Sequence, residues 1–172
     1  TDEIGVFEMT GAGLAEVMNQ TAEARRGGDG EDLTTTLVNA EVDGERLSPE
    51  ELASFFVLLC VAGNETTRNA ISHGMLELMA NPDQFDMLKA DPAGLMDTAV
   101  DEIVRYSTPV HHFRRTASAD TELRGQKITA GDKVVMWHVS ANRDETQFED
   151  PHRFDITRSP NHHIGFGGGG AH

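Results

Sequence analysis

The chain has 172 residues, 38% of them hydrophobic, and a formal net charge of −15. This length suffices for one ordinary domain, the acidity disfavours nucleic acid as a partner, and the longest apolar run (55–62) is far shorter than the about 20 residues of a membrane span. The single cysteine, Cys60, excludes an internal disulfide and favours a reducing, cytoplasmic compartment.

Helices are predicted for the first two thirds of the sequence. An amphipathic pattern covers Asp2 to Arg26 and ends in a glycine-rich turn, and a shorter helix follows from Asp32 to Ala40. After a turn at 42–45, Ser48, Pro49 and Glu51 form a capping box that starts a helix running to Ala80, about 48 Å long. Because the middle of this helix is apolar all round, it is expected to be buried on all sides.

Shorter elements follow the long helix. Residues 82–89 and 94–107 are predicted to be helices, and residues 121–123, 127–129 and 133–139 short strands. Residues 142–158 are polar and irregular, and the sequence ends in a glycine loop. This order of helices first and strands later predicts a mainly α fold with small β-sheets.

Polar residues interrupt the long helix at its centre, in the run Ala62-Gly63-Asn64-Glu65-Thr66-Thr67. A glycine and a carboxylate are unfavourable choices for an apolar helix. Gly63 removes a side chain where something must approach closely. A local bulge would present a hydroxyl and a carboxylate to a cavity; a helix kink with satisfied polar residues is the alternative.

Two further segments carry charged residues that can form one cluster. Glu102 and Arg105 have the i,i+3 spacing of an ordinary surface pair, which contributes only about 0.2–0.5 kcal/mol. Arg153, in Pro151-His152-Arg153-Phe154, offers a second guanidinium. A buried cluster of these residues would fix the irregular segment onto a helix.

The sequence closes with Phe166 and a run of glycines before His172. A phosphate-binding loop is the alternative, but it requires Lys-Ser/Thr after the glycines, and a dinucleotide site requires a following helix. Paired histidines at 111–112 and 162–163 suggest zinc, yet no second pair at helical spacing and no cysteine accompany them.

In this order the four motifs (A-G-x-E-T, E-x-x-R, P-x-R-F and the F-G-rich-H loop) resemble the cytochrome P450 superfamily over essentially the whole sequence. The resemblance implies a partial domain, residues 1–172, that includes the long distal helix and the E-x-x-R helix of a longer protein. The N-terminal part and the loop with the iron-ligating cysteine are expected to lie outside it. The 172 residues by themselves are therefore expected to be inactive.

The resemblance also assigns roles to individual residues. Glu65 and Thr66 match the acid–alcohol pair that delivers protons, and Glu102, Arg105 and Arg153 match the structural triad. Residues matching contacts to haem b (iron protoporphyrin IX) are Arg115 and His172 at the propionates, Phe166 near the cysteine sulfur, and Ala62 and Gly63 on the distal helix. Residues that would line the substrate pocket are Leu58, Val110 and His111.

Segments 63–74 and 140–172 are similar to actinobacterial members that oxidise steroids and methyl-branched lipids. The spacing from Phe166 to His172 is one residue longer than the commonest spacing in the family, and these members share the longer loop. The implied reaction is insertion of one oxygen atom into a C–H bond of a large apolar substrate, either at its terminus or in a side chain. Electrons would come from a ferredoxin and a ferredoxin reductase. A peroxygenase on the same fold and a catalytically silent haem- or lipid-binding paralogue are the alternatives.

Overall fold

The computed structural model describes residues 2–167, with side chains for residues 12–41 and 43–167. Two compact units make up the protein, Thr1–Glu65 and Thr66–His172. Within the described residues, no helix has the length and apolar character needed to cross a membrane.

The first unit is a small helical assembly with one hairpin. Helices α1 (Asp2–Arg25) and α2 (Leu33–Asn39) precede strands β1 (Glu41–Val42) and β2 (Glu45–Arg46). The predicted turn between these strands is confirmed, and it places Gly44 at φ 82°, a conformation that glycine adopts at little cost. The core residues of this unit are Met18, Ala22, Val38 and Leu52.

Helix α3 (Pro49–Ala80) begins where the sequence predicts. Ser48 N donates to Glu51 Oε2 at 2.8 Å, and Glu51 N donates to Ser48 Oγ at 3.2 Å. This reciprocal pair confirms the capping box. The helix then continues as α-helix through the polar run, without a bulge at 62–67.

Within the described residues, the middle of α3 is covered on one side and exposed on the others; its burial on all sides is a prediction for a domain larger than these residues and stays a prediction. Leu52 is 1% exposed, but Leu58 is 60% and Val61 is 55% exposed. The reason is geometric, since a helix that meets neighbours along one stripe leaves its other faces uncovered. In the first unit, Leu52 belongs to the core while Phe56 packs at its margin.

The second unit is built around helix α5. Helix α4 (Pro82–Ala90) leads to α5 (Pro92–Ser107), which starts two residues earlier than predicted, after the N-cap Asp91. Asp91 Oδ1 accepts a hydrogen bond from Gly94 N at 2.9 Å. The apolar core of this unit comprises Leu78, Ala99, Phe154 and Ile156.

Two antiparallel strand pairs complete the second unit. Strand β3 (His112–Thr116) pairs with β6 (Lys133–Trp137), and β4 (Thr121–Leu123) pairs with β5 (Gln126–Ile128). Strand β3 was not predicted, because all of its side chains are exposed and it lacks an apolar alternation. The last part of the predicted strand 133–139 is instead a short helix, α6 (His138–Ala141).

Candidate functional site

The candidate site is centred on a buried ion pair within helix α5. Arg105 Nε and Nη2 each donate to one oxygen of Glu102, both at 2.7 Å. Both side chains are 0% exposed. This two-pronged geometry is the strong form of a guanidinium–carboxylate pair, so the i,i+3 spacing does not represent a surface contact here.

The remaining donors of Arg105 reach backbone carbonyls far along the sequence. Its Nη1 donates to the carbonyls of Asn142 and Pro151, both at 2.8 Å, and its Nη2 donates to that of Arg153 at 3.2 Å. These acceptors lie in the irregular segment that follows α6. One buried guanidinium therefore supplies the hydrogen bonds that the segment lacks within itself.

The Glu102 carboxylate is satisfied from the same segment. Its Oε1 accepts from Asp155 N at 2.9 Å. Its Oε2 accepts from Arg158 Nε and from Asn161 Nδ2, both at 3.2 Å. Removing water from a carboxylate is costly unless its lone pairs find partners, and here the partners come from three separate residues of the segment.

The second guanidinium at Glu102 belongs to Arg158, whereas the sequence suggests Arg153. Arg158 also donates to the carbonyls of Glu149 and Asp150, at 2.8 and 3.3 Å. Arg153 takes part through its carbonyl oxygen, which accepts from both Arg105 and Arg158. The turn at 155–158, in which Arg158 N donates to Asp155 O, returns the Arg158 side chain to the carboxylate.

Asp155 lies beside the cluster and is influenced by two of its arginines. Burial raises the pKa of the Asp155 carboxyl, but hydrogen bonds from Thr157 Oγ1 and N, with the charges of Arg153 and Arg158, outweigh it. The net pKa of Asp155 is therefore lowered. The positive charge of Arg153 thus favours the ionised form of the Asp155 carboxyl.

A third arginine closes the C-terminal end of α5. Arg143 donates to the carbonyls of Arg105 and Tyr106, at 3.3 and 2.7 Å. Its guanidinium carbon lies 4.1 Å from the centroid of the Tyr106 ring. Burial, and next the charge of Arg105, lower the pKa of Arg143. A cation at a helix C-terminus is favoured by the helix dipole.

Asn142 joins this site to the glycine loop. It is 0% exposed. Its Nδ2 donates to Thr108 Oγ1 at 3.0 Å, and its Oδ1 accepts from Ile164 N at 2.9 Å. Four residues of the site could not be predicted, because isolated polar residues in an irregular segment show no periodicity that marks them as buried: Asn142, Arg143, Arg158 and Asn161.

The described part of the glycine loop packs tightly on α5. Gly165 is buried, and a Cβ built on it would lie 2.6 Å from Val104 Cγ1. Gly167 has φ 83°. Phe166 is 80% exposed, and its ring centroid is 6.1 Å from that of His163. His172, the other residue of the loop singled out from the sequence, lies outside the described residues.

The other sequence-predicted residues lie on α3 and around β3. On α3, Ala62, Gly63 and Glu65 are exposed and Thr66 is half-buried. Leu58 and Glu65 belong to the first unit and Thr66 to the second. Val110 is half-buried, and His111, whose carbonyl accepts from Val139 N at 3.3 Å, is exposed.

Arg115 extends from β3 at the surface of the second unit. Its Nη1 donates to Arg114 O at 3.3 Å, and its guanidinium carbon is 5.4 Å from the centroid of Phe113. Among the described side chains, those of residues 12–41 and 43–167, no carboxylate forms an ion pair with Arg115. In that same part of the protein, no cluster of three or more His, Cys, Asp or Glu residues could hold a metal ion.

Comparison with known proteins gives one consistent result. The family model described as Cytochrome P450 matches residues 13–169. A methyl-branched lipid omega-hydroxylase of Mycobacterium tuberculosis is 57% identical over 166 residues, which cover 96% of this chain and 39% of the relative. A steroid C26-monooxygenase of Mycolicibacterium smegmatis is 54% identical over 151 residues, covering 88% of this chain and 35% of the relative.

A solved structure agrees with these sequence relatives. A Mycobacterium marinum cytochrome P450 in complex with pseudoionone superposes with a TM-score of 0.81 and 55% identity. The match covers 92% of this chain and 38% of that protein. The chain thus spans about two fifths of the length of the proteins that it matches.

Proposed function

This chain belongs to the cytochrome P450 family, and from that premise we propose that it forms part of a haem-dependent monooxygenase. The enzyme would insert one oxygen atom from O2 into a C–H bond of an apolar substrate. The observation that carries the proposal is the Glu102–Arg105 pair, buried and bonded along the irregular segment. Such a pair fixes the segment that leads into the glycine loop, and an active site requires supports of this rigidity.

Haem b is the cofactor that we assign, and Arg115 supports the assignment. An exposed guanidinium with no carboxylate paired to it among the described side chains suits a propionate. Phe166, 80% exposed, offers an apolar ring, and His172 is the second proposed propionate contact. Ala62 and Gly63 on α3 are the proposed close-approach residues. When bound, the haem supplies the iron that activates dioxygen.

We assign proton delivery to two residues of α3. Glu65 and Thr66 are an acid and an alcohol at adjacent positions of one helix, so their side chains leave the helix axis in different directions. The carboxyl of Glu65 can exchange protons with solvent, where it is exposed. The hydroxyl of the half-buried Thr66 can hold a proton donor, such as a water molecule, near the place where dioxygen would bind.

The proposed substrate is a large apolar molecule that is oxidised at its terminus or at a carbon of its side chain. Two relatives carry names of this kind, a methyl-branched lipid omega-hydroxylase and a steroid C26-monooxygenase. Leu58, 60% exposed on α3, and Val110 and His111 before β3 are the proposed pocket residues. An apolar surface with few polar groups suits such a substrate.

A ferredoxin and a ferredoxin reductase are the proposed electron donors, and the cytoplasm is the proposed compartment. The net charge of −15 favours cationic over anionic partners at long range. Because Arg105, Arg143 and Arg158 are engaged with α5 and the segment after it, we place the ferredoxin's contacts outside this cluster.

The test uses the full-length protein with a ferredoxin, its reductase and isotopically labelled O2. Substrates are a methyl-branched fatty acid and a steroid with an alkyl side chain. One labelled oxygen atom in a terminal hydroxyl group is the expected product. A substrate-binding spectral change without product would favour the silent paralogue, and product from peroxide alone would favour a peroxygenase.

A further inference from the structure

Asn142 is the buried residue at which helix α5, the Arg105 guanidinium and the glycine loop meet. Every polar group of Asn142 is engaged. Its N donates to His138 O at 2.8 Å, and its carbonyl accepts from Arg105 Nη1 at 2.8 Å. The side-chain amide donates to Thr108 Oγ1 and accepts from Ile164 N.

The orientation of the Asn142 amide follows from its neighbour on α5. Thr108 Oγ1 donates its proton to Arg105 O at 2.6 Å, so this hydroxyl can only accept from Asn142. Nδ2 must therefore face Thr108, and Oδ1 must face the amide of Ile164. Among side chains of this size, only a carboxamide both donates and accepts in this manner.

The bond to Ile164 fixes the first turn of the loop. Ile164 N is held by Asn142, and Ile164 O accepts from Gly167 N at 2.9 Å. Between them, Gly165 lies so close to Val104 that a Cβ would meet Cγ1 at 2.6 Å. A tight approach of this kind tolerates little displacement of Ile164.

We infer that Asn142 is a positioning residue that holds the glycine loop against helix α5 and so sets the placement of the cofactor-binding segment. The part of this inference that concerns the cofactor rests on the proposed function, because the loop matters to the haem only if the full-length protein is a haem-thiolate enzyme. The backbone bond to Arg105 is available to any residue at this position. The bond to Ile164 N requires the side chain.

Three variants of the full-length protein separate loop placement from general stability. Asn142→Ala removes both side-chain bonds. Thr108→Val removes the hydroxyl beneath Asn142 but leaves Oδ1 available to Ile164 N. Asn142→Asp keeps an acceptor for Ile164 N, while the Thr108 hydroxyl must turn from Arg105 O to donate to the second carboxylate oxygen. Should Asn142→Ala fail to fold, Asn142→Ser replaces it, since a hydroxymethyl group is too short to span the same distance.

The first measurement is hydrogen–deuterium exchange of the peptide that contains 160–167, and it does not depend on haem. Asn142→Ala is expected to raise its exchange rate at least several-fold, while exchange in the first turns of α5 stays unchanged. Thr108→Val and Asn142→Asp are expected to exchange at the wild-type rate in this peptide. Equal exchange in all variants, or equal acceleration in Thr108→Val, overturns the inference.

The second measurement is the spectrum of the reduced, carbon monoxide-bound haem protein. At equal haem content, Asn142→Ala is expected to lose most of its thiolate-type band, and Asn142→Asp to restore it relative to Ala. Absence of a thiolate-type band in the wild-type protein contradicts the proposed function. In that case the exchange data still test whether Asn142 positions the glycine loop. A wild-type spectrum in Asn142→Ala overturns the link from loop to cofactor.

Discussion

Glu102 is a carboxylate that is fully buried yet makes hydrogen bonds through both oxygens. Arg105, Arg158, Asn161 and the Asp155 amide donate to it. Burying a charge is tolerated when such partners replace water. Its main effect is therefore to fix the geometry of the segment, because the cost of removing both charges from water offsets much of their attraction.

Glu102→Ala in the full-length protein is expected to prevent haem incorporation. The substitution leaves the Arg105 cation buried without a counter-charge, and breaking such a pair costs about 3–5 kcal/mol. The measurements are haem per protein and the thermal unfolding midpoint. Glu41→Ala is the matched control, because Glu41 pairs with Arg46 at a half-exposed position and should cost about 0–1 kcal/mol. A normal yield of haem-loaded Glu102→Ala would contradict the structural role.

Thr66→Ala is expected to leave haem and substrate binding intact but to divert electrons from product. The hydroxyl that holds a proton donor is lost, and general acid catalysis of this kind contributes about 10²–10⁴-fold. Reductant consumed, product formed and peroxide released are measured together. Thr67→Ala, at the exposed next position, is the control. The same product per electron in both variants would show that Thr66 serves only the helix.

Helices α3 and α5 approach each other closely at Gly74, in the second unit. A Cβ built on Gly74 would lie 2.8 Å from both Cδ1 and Cγ2 of Ile103. The branched Ile103 side group is unable to withdraw both atoms by rotation. Glycine at this helix position therefore serves packing, although its helix propensity is poor.

Gly74→Ala is expected to destabilise the protein despite the better helix propensity of alanine. Overpacking costs about 1–3 kcal/mol, against a gain of about 1 kcal/mol from removing a helical glycine. Chemical denaturation of both proteins gives the difference. Gly13→Ala on α1, where a Cβ meets nothing within 4 Å, should instead stabilise by up to about 1 kcal/mol. Equal responses at the two positions would mean that Ile103 yields without cost.

The elements with local signals could be predicted from the sequence. Helix α3 follows from its capping box at Ser48 and Glu51, and α4 from its first-turn proline. Strand β3 could not be predicted, because its pairing with β6 and not its own side chains stabilises it. Helix α6 was not predicted because Val139, a typical strand residue, follows closely on the strand that ends at Trp137.

The site was predictable only in part, for a similar reason. The E-x-x-R spacing identified Glu102 and Arg105, which meet within one helix. The role of Arg158 depends on a turn that brings it back over 56 positions to Glu102. Asn142 acts through Thr108 and Ile164, which lie 34 and 22 positions away. Contacts over such distances leave no pattern in the local sequence.

For the molecule as a whole, protonation alters both net charge and stability. Hydrogen bonds from Thr146 Oγ1 and N lower the pKa of Asp144 below its ordinary 3.8, and the pKa of Asp155 is lowered as well. Groups of this kind stabilise the fold above their unfolded pKa, and the stability is lost as pH falls through the folded pKa. The stability that these two carboxylates contribute is therefore complete above pH 3.8 and is lost below it, as pH falls through their folded pKa values.

His138 is expected to add a pH dependence of stability at higher pH. Burial, then the charges of Arg115 and His112, lower its pKa below the ordinary 6.5. The unfolded protein therefore binds a proton near pH 6.5 while the folded protein resists it, so the free energy of unfolding falls as pH drops below 6.5. Denaturation of the full-length protein over this range measures the slope. His138→Phe should flatten it, and an unchanged slope would contradict the assignment.

The hydrogen bonds of Glu102 also impose an order on folding during synthesis. Asn161, one of its partners, is 59 residues farther along the sequence. At a translation rate of about 5–20 residues per second, the ribosome needs about 3–12 s to make that stretch. At the start of this interval the carboxylate and Arg105 have only each other, and their later partners become available one after another as the segment is made. In a nascent polypeptide that is paused before Asn161 is made, the side chains of Glu102 and Arg105 on helix α5 would still be partly hydrated.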